Sequence, residues 1–431
     1  MDVIGNRTLY DVLANRAGYE PGREWLIFER ADGRVERWTC GEFLAGVHRA
    51  ANLLASLGIG PGDAFNLHLG NHPAYPQLIL AASYLGAVAV PTNPVSTLDE
   101  LGYLVGHSES KLIFTQASCF STASRVAREV GVRAVVVCET GEPLPKGAAV
   151  YEAELAPQSS VPPERQGSVD AVVELLYTSG TTARPKGVML TNASFVYAAE
   201  VFRAASGLRP EDRHLIALPM FHAAAQCHAL WPSLVGGASV ALLGRFQASR
   251  YFEQAATHDA TLAAMFGALL RMLLNQPERP FDRAHRLRNV TFAQNLSEAQ
   301  YREWHRRFGA PLQQLWGMTE TCGLPVMSPL LGDRRLDTMG RPVLGYELKV
   351  VDDAGNEALT GTAGQLLVRG IPGRTIMKGY FKNPEATAKT LRPDGESVWL
   401  ASGDTVRGDA AGFLSFIDRG RDLIKRAGEN I

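Results

Sequence analysis

Tyr177-Thr178-Ser179-Gly180-Thr181-Thr182-Ala183-Arg184-Pro185-Lys186-Gly187 carries the residues best suited to chemistry. Four hydroxyls, two glycines and a lysine lie between an apolar run at 171–176 and the apolar pair Val188-Met189. The apolar run reads as a buried strand. Such a loop can wrap a polyphosphate: glycines let the backbone come close, hydroxyls and N–H groups donate to phosphate oxygens, and lysine adds positive charge. A Walker loop needs Gly-Lys-Ser/Thr four residues after its first glycine. Here that place holds Pro185, and Lys186 is followed by Gly187.

Three more runs are chemically suggestive. Gln314-Leu315-Trp316-Gly317-Met318-Thr319-Glu320 ends an expected strand, where open α/β sheets keep their ligand crevice. Trp316 offers a flat face for a base, and Gly317 permits close approach. Thr319 reaches a phosphate, and Glu320 is a hard oxygen ligand suited to Mg²⁺. Ser402-Gly403-Asp404 is a tight turn bearing a carboxylate. Asp418-Arg419-Gly420-Arg421-Asp422 by itself reads as a solvated charge run.

The elements that position these groups follow from the pattern. A hairpin is expected around Ala31-Asp32-Gly33, with a helix after Thr39. From residue 64 to 137 strands and helices alternate, as in a doubly wound parallel sheet. The alternation resumes from 195 to 315, including one helix over 224–234. From 330 to 418, short strands separated by Gly, Asp and Asn turns predict a small antiparallel β-barrel or sheet. The expected fold is α/β, with two doubly wound α/β subdomains packed together plus that barrel. The expected units are 1–170, 171–329, 330–418 and a hinge at 419–431.

Composition narrows the function. The chain has 431 residues, 46% of them hydrophobic and 20% charged, and a net charge of −1. That balance gives no electrostatic case for nucleic acid or an anionic membrane. Cys40, Cys119, Cys138, Cys227 and Cys322 show no metal spacing, so free thiols in a reducing compartment are expected. With no signal-peptide pattern and no apolar run of membrane-spanning length, the expected location is cytoplasmic.

The four runs together resemble the adenylate-forming enzymes: acyl-CoA synthetases, peptide adenylation domains and luciferases. The family forms are Y-T-S-G-T-T-G-x-P-K-G, Q-G-Y-G-M-T-E and T-G-D, followed by a charged hinge. Further agreement comes from Gly340-Arg341-Pro342, the run at 364–370, and Gly379-Tyr380. The departures are Ala183 for glycine, Trp316 for tyrosine, and Gln365 for glutamate.

The resemblance implies roles. Thr178, Ser179, Gly180, Thr181, Thr182 and Lys186 would hold phosphates. Gln314, Leu315, Trp316, Gly317 and Met318 would line the nucleoside, with Trp316 stacked on adenine. Thr319 would touch the α-phosphate and Glu320 would hold Mg²⁺. Asp404 would accept both ribose hydroxyls, Arg419 would contact ribose, and Arg421 would mark the hinge. Catalysis would rest on Thr178, Lys186, His222, Thr319 and Glu320. The implied substrates are ATP, CoA and a carboxylic acid, and a homodimer stays open. The family also carries a small mobile domain after the hinge. Because the sequence ends at Ile431, the expectation is a truncated or cleaved large domain that turns over poorly.

The segment implied to begin the acyl pocket is His222-Ala223-Ala224-Ala225-Gln226. Phe266, Gly267, Ala293, Gln294, Asn295, Gly317 and Cys322 would form other walls. Amino-acid-activating relatives place an aspartate where this chain has alanines, and a buried ammonium without a carboxylate is costly. Asn295-Leu296-Ser297 and Gly428-Glu429-Asn430 resemble the crotonobetaine/carnitine–CoA ligase branch. Three small residues instead suggest room for a bulky neutral acid, as in diterpenoid acyl-CoA synthetases of the platensimycin and platencin kind. Rival readings are fatty acyl-CoA ligation, loading of a carrier protein, non-catalytic nucleotide binding, and a phosphotransferase giving ADP.

Overall fold

A computed structural model describes residues 2–178, 184–419, 425–426 and 429–430. Ser179, Gly180, Thr181, Thr182, Ala183 and Arg421 lie outside the described residues, as do the side chains of Arg419 and of 425–430.

Two large mixed sheets and a smaller antiparallel one build the chain. The first sheet has eight strands, in the order Gly379–Tyr380, Lys186–Thr191, Val172–Thr178, Val88–Pro91, Ala64–His68, Leu112–Gln116, Ala134–Cys138 and Ala149–Val150. It is parallel except at Lys186–Thr191 and Gly379–Tyr380. The second has nine strands. Its parallel centre runs Leu312–Trp316, Asn289–Ala293, Leu262–Phe266, Arg213–Ile216, Ser239–Leu243 and Glu24–Glu29. The third sheet joins Glu347–Val351, Ala363–Gly370, Ser397–Gly408, Leu391–Asp394 and Leu414–Arg419. Ser397–Gly408 pairs along its length with three partners, which curls this small unit.

One apolar cluster spans the two large sheets. It takes Phe65 and Leu176 from the first, Phe28 and Leu242 from the second, and the helices between. Helix Ala74–Leu85 is buried on every side, as its all-round apolar sequence requires. Helix Asn192–Ser206 starts where the Thr191 hydroxyl accepts the Ser194 N–H. Among the described residues no helix is long and apolar enough to cross a membrane.

Sheet membership crosses the expected division at residue 170. The hairpin Glu24–Glu29/Val35–Thr39 forms as expected but pairs with Ser239–Leu243, in the second sheet. Strand Val172–Thr178 lies beside Val88–Pro91, in the first. A fully apolar run specifies burial on both faces, and packing alone chooses its neighbours. The helix expected over 224–234 also differs. A π-helical turn, Gln226–Leu230, interrupts it just before Pro232. Proline has no N–H to give to the His228 carbonyl, so the regular ladder cannot continue there.

A buried polar chain ties the first sheet to this turn. Gln226 Nε2 donates to Glu174 Oε2 at 3.0 Å and to the Met220 carbonyl at 3.0 Å. Trp231 Nε1 donates to Gln226 Oε1 at 3.1 Å. Glu174 is fully buried, and its Oε1 has no hydrogen-bond partner among the described residues. Desolvation pushes its carboxyl up to about 8, only partly offset by the Gln226 hydrogen bond. The folded protein therefore holds a proton here at pH values where the unfolded chain has lost it. That contribution is fully present below the ordinary carboxyl range near 4.5 and is lost as pH rises through about 8. Glu174→Gln removes the titration. Denaturant melts from pH 5 to 9 should show wild-type stability falling relative to the variant up to about pH 8 and level above it. Parallel curves would mean that Glu174 is ionised in the fold.

Candidate functional site

The site is built from the C-terminal ends of parallel strands, as in other open α/β sheets. Strand pairing sets Phe266 beside Ala293 and Phe292 beside Gln314. Expected walls from three separate stretches of sequence therefore become neighbours. Gln314 Nε2 donates to Asn295 Oδ1 at 2.8 Å. A Cβ on Gly267 would come within 3.3 Å of the Gln294 Cβ, so these two segments touch. Gln294 itself lies at φ +77°, in the left-handed region.

On the opposite side, His222 sits at the start of the helical segment with its ring against Phe221, centroids 4.2 Å apart. The Phe266 ring lies edge-on to the His222 ring, with centroids 6.1 Å apart. Desolvation lowers the His222 pKa to about 4, so the imidazole is neutral near pH 7. It can offer one donor, one acceptor and an aromatic edge, but no positive charge. Ala223 and Ala224 are partly exposed, whereas Ala225 and Gln226 are buried. The Gln226 amide is committed to Glu174 and the Met220 carbonyl, which corrects its expected place as a polar pocket wall. Cys322 is buried at φ +55°, closing the turn Thr319–Thr321, and faces the Cys227 thiol.

The nucleoside candidates also converge. Trp316 Nε1 donates to Asp404 Oδ2 at 2.9 Å, across 88 residues of sequence. Both are buried. Asp404 follows Gly403, whose φ of +75° needs glycine's freedom, and its N–H donates to Ser402 Oγ at 3.1 Å. The backbone of Arg419 lies in register opposite Asp404. A Cβ on Gly317 would meet the Gly323 carbonyl oxygen at 2.4 Å, so only glycine fits. The Leu315 side chain packs inward in the cluster with Phe202, Leu324 and Met327. Met318 is partly buried and opens the turn that carries Thr319 and Glu320.

The phosphate candidates lie at the edge of the first sheet. Thr178 and Lys186 are paired directly across two antiparallel strands. Glu320 is buried at 6% exposure. Its Oε1 accepts a hydrogen bond from the Tyr380 hydroxyl at 2.7 Å. Lys186 Nζ sits 4.2 Å from the centroid of the Tyr380 ring. Among the described residues no group of three or more His, Cys, Asp or Glu side chains is arranged to hold a metal. The buried Glu320 carboxylate fits Mg²⁺ brought by a nucleotide, because that ion takes few protein ligands and completes its shell with phosphates and water.

Sequence reasoning missed several residues here. Tyr380, Tyr103, His107 and Glu174 sit far from the glycine-rich run or inside apolar stretches. Tyr177 donates or accepts with His107 Nδ1 at 2.8 Å, and the Tyr103 hydroxyl donates to the Pro185 carbonyl at 3.0 Å. Both strands next to the loop are thus fastened to helix Leu98–His107. For Tyr380 the sequence signal is the Gly379-Tyr380 match to the family pattern.

Known proteins resemble this arrangement over the whole chain. The family model for AMP-binding enzymes matches residues 13–381. The crotonobetaine/carnitine–CoA ligase of Salmonella typhimurium is 34% identical over 437 residues, covering 100% of this chain and 83% of the relative. The ATP-bound MatB of Rhodopseudomonas palustris is 26% identical with a TM-score of 0.84, covering 99% of this chain and 81% of that one. A benzoate CoA ligase from Burkholderia xenovorans shares the fold at a TM-score of 0.86 and 24% identity, covering 98% of this chain and 82% of that one. The family match over residues 13–381 and the 34% identity across the whole chain lead to one conclusion: the chain belongs to the AMP-binding enzyme family, as an ATP-dependent, AMP-forming acid–thiol ligase that makes an acyl-CoA.

Proposed function

We propose that this ligase acts on a bulky, uncharged, non-amino carboxylic acid, with the residues above in the following roles. The acid lies between the Phe221–His222–Phe266 rings and the segment Ala293–Asn295. Ala223 and Ala224 leave the pocket wide. Trp316 faces the base, and Asp404 accepts from the ribose. Thr178, Lys186 and the loop between them hold the departing pyrophosphate. One acid oxygen forms a bond to the α-phosphorus while the bond to pyrophosphate breaks. The thiol of CoA then adds to the acyl carbonyl, AMP leaves, and the thiol proton passes to solvent. Mg²⁺ arriving with ATP, held by Glu320, supplies charge neutralisation at the phosphates. Lys186 and the threonines orient the chain of phosphates, so positioning and electrostatics carry the rate.

The observation that supports an uncharged acid is Glu174. Its carboxyl lies behind Gln226, whose amide donates to it, and burial raises its pKa. The alanine segment itself adds no negative charge. A quaternary ammonium at this wall would find no carboxylate on the alanine segment itself, at a large desolvation cost. The second reading is a betaine-type acid, favoured by the 34% identity to crotonobetaine/carnitine–CoA ligases. A polycyclic diterpenoid acid is the finer form of the first reading.

Incubation with ATP, Mg²⁺ and short, aromatic, betaine and polycyclic acids, followed by mass spectrometry for acyl-AMP, separates the two. Acyl-AMP from large neutral acids alone is the expected result, and acyl-AMP from betaines alone would overturn it. Comparing CoA with a carrier protein as acceptor tests the thioester step. Ala224→Phe should cut kcat/KM for the largest accepted acid by 10-fold or more while sparing short acids, since filling a pocket costs on the order of 1–3 kcal/mol. Equal effects on both would place the acid elsewhere. Glu320→Gln should lower pyrophosphate release by about 100-fold, as removal of a single charge-stabilising group does. Near-wild-type release would remove Glu320 from the metal site.

A further inference from the structure

Tyr380 touches both arms of the proposed phosphate site. Its backbone is fixed first. Strand Gly379–Tyr380 pairs antiparallel with Lys186–Thr191, setting Tyr380 opposite Val188. The Tyr380 N–H donates to Thr387 Oγ1 at 2.9 Å, and the next N–H, of Phe381, donates to the Gly187 carbonyl at 2.8 Å. The side chain is buried at 4% exposure. Its hydroxyl donates to Glu320 Oε1 at 2.7 Å, while its ring lies under the Lys186 ammonium at 4.2 Å. Glu320 is tied to the same segment by its own carbonyl, which accepts the Met377 N–H at 2.9 Å. A single phenol therefore spans the gap between a carboxylate on the turn after strand Leu312–Trp316 and a lysine on the first sheet.

We propose that Tyr380 is a positioning residue for adenylate formation: its hydroxyl fixes the Glu320 carboxylate and its ring holds Lys186 facing the phosphates. This rests on the roles given above to Glu320 and Lys186. A hydroxyl donating to an anionic oxygen makes a strong, directional bond, and it leaves the other carboxylate oxygen to face the ligand. Groups that orient a metal-binding carboxylate commonly change metal affinity by about 10- to 100-fold when removed. A ring face under an ammonium attracts it without sharing a proton, so Lys186 keeps all three N–H donors for phosphate.

The two contacts separate by substitution. Tyr380→Phe removes only the hydroxyl, whereas Tyr380→Leu removes the ring as well. Mn²⁺ binding in the presence of ATP, followed by electron paramagnetic resonance, should weaken about 10-fold in Tyr380→Phe. Calorimetric titration with metal-free ATP should leave that variant's affinity as in wild type. Tyr380→Leu should lose both. Metal binding by Tyr380→Phe equal to wild type would overturn the proposal, as would equal loss of metal-dependent and metal-free binding in both variants. Tyr380→Trp keeps a ring under Lys186 without an O–H group, and gives the same test should Tyr380→Phe fail to fold. Glu320→Gln is the control for the underlying reading. If it too leaves Mn²⁺ binding unchanged, the metal assignment is wrong. If it weakens Mn²⁺ binding and Tyr380→Phe does not, only the role of Tyr380 is lost.

Discussion

The antiparallel pairing of Val172–Thr178 with Lys186–Thr191 is the constraint on which the site depends. Its register sets Tyr177 opposite Gly187 and Thr178 opposite Lys186, which fixes the two ends of the hydroxyl-rich sequence between them. The pair is held on both outer sides. Val172–Thr178 lies beside the parallel strand Val88–Pro91, and Lys186–Thr191 carries the short strand Gly379–Tyr380. Tyr103 and His107 fasten the same strands to a helix on one face. A phosphate loop needs this rigidity at its base, because small errors in position of the reacting groups are costly in rate.

Polar groups in the interior serve packing and function together. The Trp316–Asp404 bond joins the second sheet to the small antiparallel unit, and it aligns the proposed base and ribose partners. The Glu320–Tyr380 bond joins the turn after strand Leu312–Trp316 to the edge of the first sheet. The Glu174–Gln226–Trp231 chain joins the centre of the first sheet to the π-helical turn beside the proposed acyl wall. Each bond crosses between units, so it resists their relative displacement where ligands are to lie between them. Buried bonds of this kind carry a high penalty when one partner is lost, which makes their geometry specific.

Much of the chemistry was legible in the sequence, and for a local reason. Glycine where a left-handed turn is needed, hydroxyls beside it, and a lysine after a proline are all properties of consecutive residues. Gly403 at φ +75° and Gly317 against the Gly323 carbonyl show that such choices were forced by the backbone. Alternating apolar runs likewise predicted α/β layers and a separate antiparallel region. What failed was local reasoning applied to partners at a distance. The run at 171–176 was expected to open a second unit, yet it lies in the first sheet. The hairpin at 24–39 crosses the other way. Gln226 was expected to face a ligand, and it faces Glu174 instead.

The sequence by itself determined the family of chemistry: residue types suited to a polyphosphate, a hard cation and a base, and an alanine segment without charge. These are decided by residue type and short spacing, which act within a few bonds. Tertiary structure alone decided which strands share a sheet, that Tyr380 stands between Glu320 and Lys186, and that burial raises the Glu174 pKa. Those outcomes depend on which surfaces pack together and how far water is excluded. Both are properties of the whole folded chain, because desolvation and hydrogen-bond direction are set by neighbours far apart in sequence or on another sheet.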